Sequence, residues 1–272
     1  MHDTQFLPHA AQSDGANTLP AERQESMVTS PKRLARIAGV LYLLVAILSA
    51  FAYFMDKKVY VPGDAATTVR NVLGHSGLVR IAVVADLFQA TVWVFLAMTL
   101  YLLLKHVNKS AASAMVVFVA IGAGITLLNA VFEFEGLRVA TGAVHLAVGT
   151  AGRNAQVLLL LDTQHYGFLI AQIFFGLWLV PLGYLAYKSG WFPKALGVLL
   201  IVGGACYLVG MLAAFLIPSS GQNVNTFVTI PSAVAEICMV VYLLVIGVKT
   251  PTPGERIPAP GLVSSGDKSG SQ

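Results

Sequence analysis

Residues 195–217 read ALGVLLIVGGACYLVGMLAAFLI, a stretch without a charged side chain that decides the fold class. A helix of about 20 apolar residues is long enough to cross the ~30 Å hydrocarbon core of a bilayer. Only 11% of the 272 residues are charged and 56% are hydrophobic, whereas about a quarter of the residues in an ordinary soluble domain are charged. We therefore expect lipid to surround much of this chain.

Five further stretches have the same apolar character. Together with the first they predict transmembrane helices at 34–54, 78–104, 112–134, 164–187, 195–217 and 229–248. We expect one all-α domain over residues 31–249, a polytopic membrane bundle of six helices. Residues 1–30 and 250–272 are rich in polar residues or in Pro, Gly and Ser, and we expect both to be disordered tails.

Two connecting segments have a helical pattern of their own. Asp64 is a suitable N-cap for a short amphipathic helix at the membrane surface, with Val69, Val72 and Leu73 on one face. Residues 140–161 contain charged and amide side chains near their middle. We expect this second segment to be a surface-lying or re-entrant piece, helical at AQVLLLL.

The distribution of positive charge predicts the topology. With six spans, most of the 17 Lys and Arg residues fall on the side of the two chain ends. The positive-inside rule then places both termini in the cytoplasm and the protein in the cytoplasmic membrane. The same rule accounts for the net charge of +4 without a nucleic-acid partner. Small residues four apart, such as Ala35 and Gly39 or Ala120 and Gly124, offer places where helices could approach closely.

Polar side chains inside the spans are the most informative feature, because a charge there costs at least ~2.5 kcal/mol on insertion scales. They occur in four sets, each with spacings of three, four or seven that align them on one helix face. The sets are Asp86 with Gln89, Asn129 with Glu133, His165 with Gln172, and Thr229 with Ser232 and Glu236. In the predicted topology all four lie in the outer half of the membrane, above apolar inner halves.

The ionisable members of these sets predict an outward-facing polar pocket that binds or moves a small ion, a proton or a polar ligand. The candidate binding residues are Arg80, Asp86, Glu133, His165 and Glu236, with Arg80 at the mouth. Carboxyl groups in a low-dielectric site suit proton exchange. The alternative interpretation is structural: these side chains clamp helices together, with an arginine neutralising a carboxylate.

Motifs for catalysis are missing from the sequence. It contains no zinc-protease H-E-x-x-H, no G-x-S-x-G and no nucleotide-binding glycine pattern. We therefore assign no catalytic residue, metal or cofactor, and favour a protein that is not an enzyme. A membrane-embedded metal-dependent hydrolase stays open as an alternative, with His165, His145 and Glu133 as ligands and His75 nearby. So does a non-catalytic structural or regulatory partner of another membrane protein, or of a second copy of the chain.

Several stretches follow one another in a distinctive order. They are RLARIAGVLYLLVAI, VPGDAATTVRNVLGHSGLVRIAVVADL, LYLLLKHVNKSAA, IFFGLWLVPLGYLAYKSGWFPKALGVLLIVGGACYLV and AEICMVVYLLVIGVK. In this order the chain resembles the bacterial membrane proteins grouped as domain of unknown function 4386. The resemblance covers nearly everything from Leu34 to Lys249 and implies a multi-pass bacterial membrane protein. It implies no activity and assigns no functional residue.

Overall fold

A computed structural model describes residues 30–144, 147–217 and 220–249, and these are helical without any strand. The helices are α1 (Pro31–Val59), α2 (Ala65–Gly74), α3 (Ser76–Leu104), α4 (Lys109–Ala140), α5 (Thr150–Ser189), α6 (Lys194–Leu216), α7 (Gly221–Val228) and α8 (Ile230–Val245). Apart from Ser30, the two predicted tails lie outside the described residues.

Six stretches of helix are long and apolar enough to cross a membrane: α1, α3, α4, α5, α6, and α7 together with α8. Their outward faces carry large apolar side chains that stay exposed, such as Val40, Phe88 and Ile237. A water-soluble protein rarely leaves so many such side chains uncovered, and a lipid environment accounts for them. The predicted all-α, multi-pass architecture with six spans is confirmed.

The six spans form a closed ring in chain order. Each packs on the next, from α1 through α3, α4, α5 and α6 to α8, and α8 packs again on α1. The two ends of this ring differ. The terminal end carries the start of α1 and the end of α8, where the amide of Lys249 donates to the carbonyl of Trp191. The cap end carries α2 and α7.

Local signals explain where several spans begin and end. The Asn108 side chain caps α4 by accepting from the amide of Ala111 at 2.9 Å. Gly190 closes α5 in a left-handed conformation, with φ of 71°, that glycine adopts without strain. Pro231 lies in the first turn of α8, where its missing N–H has no helical partner to lose.

The ring is filled with apolar side chains toward the terminal end. Leu96 and Leu100 of α3, Met115 of α4, and Leu179 and Leu182 of α5 are all completely buried in one core. Close packing of this kind leaves few voids as large as a water molecule. The terminal half of the bundle is therefore closed, as its apolar sequence predicted.

The segment at 140–161 differs from its prediction. The AQVLLLL stretch is helical, as expected, but it is not a separate surface-lying or re-entrant piece. Residues 150–161 are the first turns of α5, which continues without a break for 40 residues. Because α5 gains 1.5 Å per residue, it is about 60 Å long, twice the hydrocarbon thickness. Its polar first turns therefore extend past the membrane. Water solvates charged side chains there, so they do not prevent the helix from forming.

The amphipathic helix α2 packs on this extension. Asp64 caps α2 as predicted by accepting from the amide of Thr67 at 2.9 Å, and this bond holds the pKa of Asp64 below its ordinary value. Val69 and Val72 are buried in a second core with Leu137, Val157 and other residues of α4 and α5. The third predicted member of this face, Leu73, is exposed, because one residue further along a helix turns by about 100°.

Candidate functional site

A cavity of 430 Å³ lies inside the ring toward the cap end, a volume typical of small-molecule sites. All six spans and α7 contribute to its wall. Its polar and charged lining includes Ser49, Asp56, Lys57, Asp86, Gln89, Thr126, Asn129, Glu133, Gln164, His165, Gln172, Tyr207, Gln222, Asn225, Thr226, Thr229 and Glu236. The polar faces of the helices thus point to one common space.

The structure brings together four of the five residues singled out from the sequence. Asp86, Glu133, His165 and Glu236 all line the cavity. Arg80 does not line it and is exposed on α3. The six residues between Arg80 and Asp86 rotate the helix by about 600°, which leaves their side chains about 120° apart around its axis. The prediction of Arg80 at the mouth of the pocket is therefore corrected.

Sequence reasoning missed Asp56. The predicted first span ends at residue 54 and so leaves Asp56 outside it. In the structure α1 continues to Val59, and Asp56 lines the cavity. Asp86 of α3 and Glu133 of α4 line the same cavity. We call Asp56, Asp86 and Glu133 the acidic cluster.

Glu236 is held separately from this cluster by two tyrosines. The hydroxyl of Tyr42 donates to Oε2 of Glu236 and the hydroxyl of Tyr207 donates to Oε1, both at 3.1 Å. These bonds join α1, α6 and α8. Each carboxylate oxygen has more than one lone pair, so Glu236 keeps acceptor capacity toward the cavity.

Three amide side chains on the cavity wall are buried without a partner. Gln164, Gln172 and Asn225 are 8%, 5% and 7% exposed. Within the described residues, no hydrogen bond reaches the side-chain oxygen of any of the three. More than nine-tenths of buried polar groups in proteins have a partner. These oxygens have almost no accessible surface, so they lie within the wall of the cavity and are not open to its contents.

Aromatic rings surround the deeper part of the cavity. Trp178 contacts Tyr42 and Trp93 with ring centroids 5.4 and 5.7 Å apart. Trp93 then contacts Phe175 at 5.3 Å, and Phe175 contacts Tyr207 at 6.1 Å. Because Tyr42 and Tyr207 both bind Glu236, these five rings and one carboxylate close a circuit. Of the rings, all except Tyr42 line the cavity directly.

The cap end of the cavity is bridged by side chains from α5 and α7. Nε2 of His165 lies 3.1 Å from Oε1 of Gln222, and the His165 ring stacks on Tyr60 at 5.1 Å. The Tyr60 hydroxyl donates to Asp162, and burial together with this bond raises the pKa of Tyr60. His165 is thus fixed from two sides at the edge of the cavity.

The requirement of the hydrolase alternative is not met in the part of the chain that the structure describes. There, no three His, Cys, Asp or Glu side chains are close enough together to hold a metal ion. His75 lies away from the cavity wall, with Nδ1 2.9 Å from the carbonyl of Asn71. His145, the other proposed ligand, lies outside the described residues.

Comparison with known proteins places the chain in a family. An uncharacterized protein of Archaeoglobus fulgidus is 30% identical over 123 residues, which are 45% of this chain and 60% of that protein. This chain therefore spans less than two thirds of that relative's length. No solved structure matches. The family model for Domain of unknown function (DUF4386) matches residues 37–247, which extend from the first span to the last. The chain is a multi-pass membrane protein and belongs to this family.

Proposed function

We propose that this membrane protein binds a small cationic or polar solute in the cavity. The observation that carries the proposal is an excess of acidic over basic side chains. Four carboxyl groups line the cavity, and among the described lining residues Lys57 is the only lysine or arginine. Lys57 itself lies over the ring of Tyr53, 5.5 Å from its centroid. Buried acceptors of this kind favour a ligand that brings donors or positive charge.

The packing below the cavity supports binding over free conduction. Trp93 and Trp178, each 2% exposed, separate the cavity from the completely buried leucines of the terminal half. A polar solute has no hydrogen-bonding path through this apolar core. Passage to the terminal end would require the helices to rearrange, whereas binding from the cap end requires no such movement.

The proposal includes an orientation, with both chain ends in the cytoplasm and the cavity opening outside the cell. Lys105, Lys188 and Lys194 lie beside the short connections at the terminal end, in the positions where the positive-inside rule counts most. Ala66 on α2 and Ser110 at the start of α4 are exposed at opposite ends of the bundle. They are suitable sites for a test of this orientation.

In a chain whose two native cysteines are replaced by serine, we expect Ala66→Cys to react with a membrane-impermeant maleimide in intact cells. Ser110→Cys is expected to react only after the membrane is permeabilised, because it lies on the cytoplasmic side. The readout is the mass shift of the labelled protein on a gel. The reverse labelling pattern would overturn the orientation and place the cavity on the cytoplasmic side.

Ligand binding is tested by thermal unfolding of the purified full-length protein in a maltoside detergent. The protein is screened against monovalent and divalent cations, amines, amino acids and sugars. A ligand at about 100 times its Kd stabilises the folded state by about 2.7 kcal/mol, which raises Tm measurably. We expect Asp86→Asn and Glu133→Gln to reduce or abolish the ligand-induced rise.

Glu135→Gln is the matched control. Glu135 is on α4, two residues from Glu133, but its carboxylate pairs with Arg138 at 2.6 Å and does not line the cavity. This variant should keep the full ligand-induced rise in Tm. Equal rises in all three variants would make the acidic cluster structural, and no rise with any compound in wild type would count against a binding function.

A further inference from the structure

The deep floor of the cavity has a different chemistry from the acidic cluster. It is formed by Trp93, Phe175, Trp178 and Tyr207 together with the carboxylate of Glu236. The circuit of ring contacts described above fixes the two tryptophans, and hydrogen bonds from Tyr42 and Tyr207 fix the carboxylate. Because each tryptophan is only 2% exposed, the part of the floor open to the cavity consists of the rings of Phe175 and Tyr207 beside the carboxylate of Glu236.

A cation is attracted to such a floor for two physical reasons. The face of an aromatic ring is the negative end of its quadrupole and attracts a positive charge within about 6 Å of the centroid, most strongly for tryptophan. The carboxylate adds a direct Coulomb attraction that low-dielectric surroundings strengthen. Aromatic walls offer no lone pairs to replace the hydration shell of a metal ion. A quaternary ammonium ion has no N–H donor and needs none, whereas a protonated amine can direct its N–H groups to the carboxylate.

Resting on the binding function proposed above, we propose that the floor takes the ammonium group of an organic amine or quaternary ammonium compound. The positive charge lies against Glu236 and the rings of Phe175 and Tyr207. The rest of the ligand extends toward the cap end. There the side chains of Gln172 and Asn225 line the cavity beside its polar groups.

Size and ligand count also favour an organic ion over a metal. The cavity of 430 Å³ is far larger than a single metal ion requires. Within the described ranges there is no group of three metal-ligating side chains. Gln164 and Gln172 of α5 and Asn225 of α7 all line this cavity. A ligand with several polar atoms can reach more than one of them, whereas a single ion cannot.

The same ammonium chemistry has two sources, a free amine in solution and the headgroup of a membrane lipid. The test therefore uses choline as the probe and 3,3-dimethylbutan-1-ol as its neutral control, which has the same shape without the charge. Binding to the full-length protein in maltoside detergent is followed by isothermal titration and by tryptophan fluorescence. A second arm repeats the titration in nanodiscs of phosphatidylcholine and of phosphatidylglycerol.

We expect choline to bind at least ten times more tightly than the neutral control and to change the tryptophan emission. Glu236→Gln should weaken choline binding by tenfold or more. Trp191→Phe, which removes a tryptophan outside the cavity wall, should leave the affinity unchanged. Weaker apparent binding of choline in phosphatidylcholine than in phosphatidylglycerol discs identifies the lipid headgroup as a competing occupant. Equal binding in both identifies a free amine as the ligand.

Equal affinity for choline and the neutral control, or no binding of either, overturns the ammonium inference. This comparison uses wild-type protein, so it stands even if Glu236→Gln fails to fold. The binding function is judged separately. If another compound stabilises the protein and Asp86→Asn abolishes the effect, the cavity is a binding site for a different class of solute. If no compound does so, both proposals fail together.

Discussion

Gly183→Ala is expected to push α5 away from α6 and to lower the free energy of unfolding by about 3 kcal/mol, the upper end for overpacking by one methyl group. A Cβ atom on Gly183 would lie 2.6 Å from the carbonyl oxygen of Gly197 and 3.0 Å from the amide nitrogen of Ile201. Both are backbone atoms, which cannot rotate aside as a flexible side chain could. The two helices must therefore separate.

Gly124→Ala is the control for this prediction. Gly124 is also in the middle of a span, but a Cβ atom there meets nothing within 4 Å. Alanine has a higher helix propensity than glycine by up to about 1 kcal/mol, so this variant should be neutral or slightly more stable. Both variants are compared by thermal unfolding and by yield in the same detergent. Equal losses would mean that the contact between α5 and α6 does not set the stability.

Glu236→Ala is expected to lower the free energy of unfolding by about 2 kcal/mol. It removes the acceptor from the hydroxyls of Tyr42 and Tyr207, which have no other acceptor among the described residues. A lost hydrogen bond costs about 1 kcal/mol, and a buried donor left without an acceptor costs somewhat more. Relief from burying a carboxylate opposes this loss. If Glu236→Ala instead raises the free energy of unfolding, the carboxylate does not stabilise the fold, and its presence is explained by function.

A double-mutant cycle separates the hydrogen bond from other effects of truncation. Tyr42→Phe keeps the ring that packs on Trp178 and removes only the hydroxyl. It should cost about 1 kcal/mol in the wild-type protein and clearly less when Glu236 is already alanine. If Tyr42→Phe costs the same in both backgrounds, the bond between Tyr42 and Glu236 contributes nothing measurable to stability.

The fold was predictable because hydropathy reports directly on the membrane. Each span required a stretch of apolar residues of a fixed minimum length, and the six stretches were plain in the sequence. The positions at which the helices begin and end were not predictable in the same way. Polar residues past the membrane surface continued α1 through Asp56 and began α5 at Thr150. Hydropathy marks the part of a helix in contact with lipid, and a helix that continues into water gives no such signal.

The candidate site was predictable to the extent that its residues are costly in lipid. Asp86, Glu133, His165 and Glu236 interrupt apolar spans, and helical spacing aligned each of them with polar neighbours. Gln222 and Asn225 were missed because they lie between the predicted spans at 195–217 and 229–248, where no helix was predicted. Tyr42 was missed because nothing in an apolar stretch of sequence indicates that a tyrosine hydroxyl there binds a carboxylate.

Close helix contacts were predictable from small residues only in part. Ala35 and Gly39 are buried on α1, and a Cβ atom on Gly39 would lie 3.0 Å from the backbone nitrogen of Leu244 of α8. The pair Ala120 and Gly124 has the same spacing, yet both residues are exposed on α4. Other close contacts form where Gly176 meets Gly204 and Gly183 meets Gly197, at the interface of α5 and α6. The spacing of small residues shows that another helix could approach one face closely. Which face contacts a neighbour depends on how the six spans pack into the ring.

The length of α5 means that one polypeptide folds in two solvents. In the spans, lipid is as apolar as the side chains, so association depends on packing and interhelical hydrogen bonds. Around Val157 and Leu161 the alternative to burial is exposure to water, so the hydrophobic effect holds α2 against α4 and α5. Urea and cold weaken only the second of these forces strongly. Mild denaturation should therefore detach α2 while the six spans stay packed together.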